Sequence, residues 1–141
     1  MILKTKNLTI GYGNKAVQRN LNLEASPRDL ICLTGTNGSG KSTLLRTLAG
    51  LQSALDGKVF IANHDISSLN VHQRSTLFSL VLTDDIDIDR LTVRELVAMG
   101  RFPYTNWAGA LSHNDHEIID KALADVHLSH NADALINHIS D

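Results

Sequence analysis

The sequence predicts a mixed α/β fold in which a strand-rich first half passes through a glycine-rich loop into a helix, with a helical end beyond. Three observations carry that expectation. Apolar runs of strand length, separated by turn residues, fill much of residues 2–61. A glycine-rich run at residues 35–42 stands between a short apolar run and a segment of helical periodicity. From residue 91 on, cap residues and one-face apolar spacing replace the strand texture.

Taken in order, residues 2–9 and 17–23 mix apolar and polar positions around the turn material Gly11, Gly13 and Asn14, as a hairpin requires. Residues 30–34 are almost wholly apolar, which predicts a strand buried on both faces, with Cys32 in the core. Residues 41–49 place Leu44, Leu45 and Leu48 on one helical face, and Gly50 is positioned to stop that helix. Residues 57–61 and 77–82 read as further strands, the second buried. Thr92 with Glu95 forms a capping-box pattern ahead of a helix that Gly100 ends. Ser112 opens another, with Ile118, Ala122, Leu123 and Val126 assigned to its apolar face.

With 141 residues, 43% of them hydrophobic and 20% charged, the chain suits one globular domain over residues 1–141. The strand-rich core, with the glycine-rich loop, is expected over about 1–90 and the helical part over about 91–141. A net charge of -2 provides no broad cationic field, which argues against a nucleic-acid backbone as partner. A single cysteine excludes a disulfide framework. The first residues hold no signal-peptide pattern and no window reaches the length of a membrane span, so the expected location is cytoplasmic.

The chemistry is concentrated in Gly35-Thr36-Asn37-Gly38-Ser39-Gly40-Lys41-Ser42, which fits G-x-x-x-x-G-K-[ST] without deviation. Glycines let successive N–H groups turn inward around a phosphate, and a helix opening at Lys41 adds its unpaired amides and the positive end of its dipole. Lys41 is expected to reach the β and γ phosphates, Ser42 to ligate Mg²⁺, and Thr43 to contact the α phosphate. ATP and Mg²⁺ are therefore the expected cofactors.

Around that loop the chain resembles the ATP-binding subunit of an ABC transporter. The resemblance is carried by Leu21-Asn22-Leu23-Glu24 and residues 30–35 before the loop, and by residues 44–51 and 57–61 after it. Residues 91–97 and 100–104 further resemble the subgroup serving importers of ferric siderophores, haem and cobalamin. The resemblance implies a P-loop NTPase of ABC type, with an antiparallel β-subdomain and the beginning of the helical subdomain. It also implies a permease, a second ATPase subunit in a homodimer and, indirectly, a substrate-binding protein as partners, with the chain peripheral on the inner membrane face. By the same resemblance Tyr12 stacks on adenine.

Two departures stand out. Thr83 occupies the place where the family has a glutamine that touches the metal or the attacking water and couples the site to the permease. Ile139-Ser140-Asp141 resembles the start of the family signature, with Asp141 where a glycine is expected; Ser140 would face the γ phosphate on the partner subunit's P-loop. The family's acidic strand end, catalytic glutamate and switch histidine would follow residue 141. The catalytic core is thus expected to be incomplete in these 141 residues, with no catalytic residue among them and little turnover by the chain alone.

Other readings stay open at this point. Residues 80–85 run from apolar to acidic, so Asp84 could be the metal-site carboxylate of a small P-loop kinase or GTPase. A non-catalytic nucleotide-binding module is a third possibility. The acidic run 84–89 lacks the glycine and distant glutamate of a calcium loop and reads as solvated. His113 with His116 and His127 with His130 have one-turn spacing but no third ligand, and read as exposed helix ends. Tyr104 and Trp107 are expected either to pack in the helical part or to lie near the surface where the family meets its permease.

Overall fold

A computed structural model describes residues 2–81 and 90–139. Thr83, Asp84, the rest of the acidic run, Ser140 and Asp141 lie outside the described residues. Two compact units divide the chain, one up to residue 80 and one from residue 81.

The first unit is built on an antiparallel sheet. Strands β1 (Leu3–Tyr12) and β2 (Lys15–Leu21) form the expected hairpin, with Tyr12 opposite Lys15 and Leu8 opposite Leu21. The short β3 (Glu24–Ala25) also pairs with β1. Strand β4 (Asp56–Ile61) runs along the other edge of β1, and β5 (His64–Asp65) completes the order β2-β1-β4-β5. Leu8, Ile10, Val59 and Ile61 project from the sheet into a core closed by Leu44 and Ile66. Thr5 is buried there without loss, because its hydroxyl donates to Leu21 O at 2.9 Å and accepts from Leu23 N–H at 2.8 Å.

Helix α1 (Lys41–Leu48) packs Thr43, Leu44 and Thr47 inward, whereas Leu45 is half exposed. The buried stripe is therefore rotated from the leucine face the spacing predicts, since the two threonines are small enough to sit nearest the sheet. Gly50 ends the helix as expected. Its φ of 66° is left-handed, and the closure is a Schellman pair, Gly50 N–H to Thr47 O at 3.1 Å and Leu51 N–H to Arg46 O at 2.9 Å.

Two predicted strands are corrected. Residues 30–34 form no regular element; Leu30 is 98% exposed, and Cys32 is exposed rather than in the core. A strand buried on both faces needs a neighbour on each edge, and no described strand pairs with this one. Leu77 ends helix α2 (Val71–Leu77) instead of starting a strand. Asn70 caps that helix in a reciprocal box with Gln73, both bonds at 2.9 Å, so the local signal prevails where no sheet edge competes.

The second unit contains α3 (Val93–Met99) and α4 (His113–Asp125). Both predicted N-termini are present: Thr92 caps with Glu95, and Ser112 caps with Asp115. Val93, Ile119, Leu123 and Ala132 form the core. The α4 face is corrected in part: Leu123 is buried as expected, with Asp115 and Ile119 at i, i+4 spacing before it, while Ile118 and Val126 are exposed. Buried Asp115 accepts from the Arg101 Nε at 2.8 Å and lies 2.7 Å from its Nη2. Hydrogen bonds from Ser112, assisted by Arg101, pull its carboxyl down to about 2. Arg101 also stacks on Tyr104 at 4.0 Å from the ring centre, and Trp107 is 99% exposed rather than packed. No described helix is long and apolar enough to cross a membrane. Among the described residues no three His, Cys, Asp or Glu side chains converge as a metal site.

Candidate nucleotide-binding site

The glycine-rich loop owes its shape to residues that only glycine tolerates. Gly38 has φ 80° with nothing within 4 Å of where a side chain would start, so the space over it is free for a ligand. Gly40, at φ 96°, is the N-cap of α1, and a Cβ there would meet Val17 Cγ1 at 2.7 Å. The hairpin therefore presses directly on the loop, and β2 adds a second restraint, Gln18 Nε2 donating to Ser39 O at 2.7 Å.

Lys41 Nζ lies 2.8 Å from both Gly35 O and Thr36 O, so the lysine gathers two loop carbonyls to itself. The first intrahelical bond of α1 is Leu44 N–H to Gly40 O at 2.8 Å, which leaves the amides of Lys41, Ser42 and Thr43 ahead of the helical ladder. A cavity of about 460 Å³ opens over this helix end, lined by Tyr12, Val17, Asn37, Gly38, Gly40, Lys41, Ser42 and Thr43. Among the described residues no carboxylate lines it. Lysine, backbone amides and a helix N-terminus make this a site for an anion, and its size falls in the range of roughly 300–1,000 Å³ usual for small-ligand sites.

Tyr12, far upstream in sequence, ends β1 at the rim of the same cavity. Its ring is more than half exposed, and the Thr43 hydroxyl donates to its hydroxyl at 3.2 Å. Thr43 itself is buried, so its expected turn toward a phosphate competes with the tyrosine contact. Ser42 is exposed on the cavity wall. Gly35, Thr36 and Ser39 contribute through the loop backbone rather than the lining. Val17 and Gln18 are site residues the sequence did not mark; alternation along β2 hides them as ordinary hairpin positions until the sheet is laid against the loop. A triphosphate fits the donor set, and the Ser42 hydroxyl is an oxygen ligand of the kind a hard divalent cation takes.

Residues 18–141 match the ABC transporter family. The chain is 36% identical over 141 residues to the ferric enterobactin transport ATP-binding protein FepC of Escherichia coli strain K12, covering 98% of this chain and 51% of that protein. It is 37% identical over 122 residues to the petrobactin import ATP-binding protein FpuD of Bacillus anthracis, covering 86% and 45% respectively. An uncharacterized ABC transporter ATP-binding protein of Methanocaldococcus jannaschii is 38% identical over 118 residues, covering 84% and 41%. The chain thus spans about half the length of the curated relatives it matches. Among solved structures, an ATP-binding cassette of an ABC transporter superposes with a TM-score of 0.79 at 25% identity over 99% of this chain and 59% of that one. An ATP-binding subunit of an ABC transporter gives 0.81 at 22% identity, covering 99% of this chain and 56% of its own, a likeness of fold. These relations set the chain apart from the small kinases and GTPases that Asp84 left open: it belongs to the ABC transporter family.

Proposed function

We propose that the chain binds MgATP at residues 35–43, and that in the full-length protein ATP hydrolysis drives import of an iron-siderophore, haem or cobalamin type substrate through a membrane permease. The observation that carries the binding reading is the joining of Tyr12 to the P-loop wall through Thr43, at 3.2 Å, across a sequence separation of 31. That contact places an exposed aromatic face beside the cavity where phosphate donors converge.

Each residue then has a task. Lys41 exchanges its two loop carbonyls for the β and γ phosphate oxygens, and the amides at 37–42 donate to the same groups. Tyr12 receives the base. The Ser42 hydroxyl holds Mg²⁺, which when bound neutralises developing charge on the phosphates. Within the described residues the site binds and orients; no base for the attacking water is assigned there.

Cargo and partners rest on the relatives, two of which are named for transport of ferric enterobactin and import of petrobactin. A homodimer of ATPase subunits on the cytoplasmic face, seated on permease subunits served by a substrate-binding protein, is the assembly this reading calls for. Ser140 would then act in trans, and Thr83 would stand at the coupling position.

The test is Lys41→Ala, read by calorimetric titration with MgATP. Loss of a charge-assisted contact to two phosphates should weaken binding about 100-fold. Affinity unchanged from the wild-type chain would overturn the assignment.

A further inference from the structure

Four carbonyls of the glycine-rich loop are drawn onto donors. Gly35 O and Thr36 O each accept from Lys41 Nζ at 2.8 Å, Gly40 O accepts from Leu44 N–H at 2.8 Å, and Ser39 O accepts from Gln18 Nε2 at 2.7 Å. Lys41 and Leu44 belong to the loop and to the helix it opens. Gln18 comes from β2, 21 positions upstream.

That one bond sets the direction of a whole peptide unit. The Ser39–Gly40 peptide is trans, so its C=O and its N–H point in opposite directions. With Ser39 O held toward Gln18, the Gly40 N–H is turned away from it. Gly40 lines the phosphate cavity, and among the described residues its N–H has no acceptor. Glycine tolerates either sign of φ, so Gly40 by itself does not prevent this peptide from turning over. The reversed peptide would put the Ser39 carbonyl where the N–H stood, and a phosphate oxygen there would meet an acceptor instead of a donor.

We infer that Gln18 is a positioning residue of the nucleotide site, which holds the Ser39 carbonyl aside so that the Gly40 N–H stays presented to a phosphate oxygen. The inference rests on the MgATP reading above. In this role Gln18 touches no ligand and acts through one peptide unit.

Backbone amide NMR of the chain, titrated with MgATP, tests this by giving an affinity together with the separate responses of Gly40 and Tyr12. In wild type MgATP should shift both amides. Gln18→Leu removes the donor and keeps most of the bulk, and Gln18→Glu sets a carboxylate oxygen against the Ser39 carbonyl. Gln18 is half-buried on the first strand of the sheet order, so both variants should keep the sheet. Each should bind MgATP about 3- to 10-fold more weakly, as expected for one hydrogen bond, and lose most of the Gly40 shift at saturation while Tyr12 responds as in wild type. A merely structural role would disturb the Tyr12 response along with that of Gly40 and would overturn the inference. Wild-type affinity with a wild-type Gly40 response in both variants would overturn it too, leaving MgATP binding intact. Failure of the wild-type chain to bind MgATP would remove the MgATP reading and this inference together.

Discussion

Strand β1, which mixes apolar and polar positions, and residues 30–34, which are almost wholly apolar, are both of strand length, and they meet opposite fates. β1 has β2 and β3 to pair with on one side and β4 on the other, and its Leu8 and Ile10 are fully buried. Residues 30–34 have no described ladder, and Leu30 stands almost wholly in solvent. By residue type the unpaired segment is the more strand-prone of the two, since β1 holds two lysines, an asparagine and a glycine. What separates them is the presence of neighbours, because ordering a backbone costs on the order of 1–2 kcal/mol per residue and only pairing and burial offset it.

The most severe way to break that contrast is Leu8→Ala. Removing a fully buried side chain from the sheet core should cost about 2–5 kcal/mol, read as a lower urea midpoint of the first unit. At the other pole, Leu30→Ser should change stability by less than about 0.5 kcal/mol. A loss at position 30 comparable to that at position 8 would show that residues 30–34 are packed after all.

The second unit offers the next effect, through Asp115. Its carboxyl ordinarily titrates near 3.9 and is held down to about 2 by Ser112 and Arg101. A depressed acid contributes stability above its unfolded value, so that contribution should be complete above about pH 5 and drain away as pH falls toward 2. Asp115→Asn should remove this part of the acid dependence, measured as helical signal against pH. A smaller change is expected from Thr92→Ala, which deletes the cap of α3 and should cost about 1 kcal/mol, visible as faster amide exchange over residues 93–96. The same substitution leaving exchange untouched would mean that tertiary bonds such as Val93 N–H to Ala134 O at 3.0 Å hold the helix start alone.

Legibility in the sequence followed the range of the interaction. Thr92 with Glu95, Ser112 as a helix start, and Gly50 as a stop were readable because a cap lies within a few residues of what it satisfies. The phosphate loop was readable for the same reason. Asn70 with Gln73 is equally local, but an apolar reading of the residues that follow masked it. The one-position error on α4 arose because Ile118 and Ile119 are adjacent, and only the packing of the neighbouring segments chooses between them.

By itself, then, the sequence determined the glycine-rich loop ahead of α1, the positions of three helix caps or stops, and the hairpin that carries Tyr12. These depend on bonds between residues a few positions apart, or on a motif whose glycines have one conformational use. Only the tertiary structure decided that residues 30–34 find no partner among the described strands, and that Gln18 and Val17 brace the loop. Those outcomes depend on which distant segments meet, and a residue type read alone contains no information about the partner that will desolvate it.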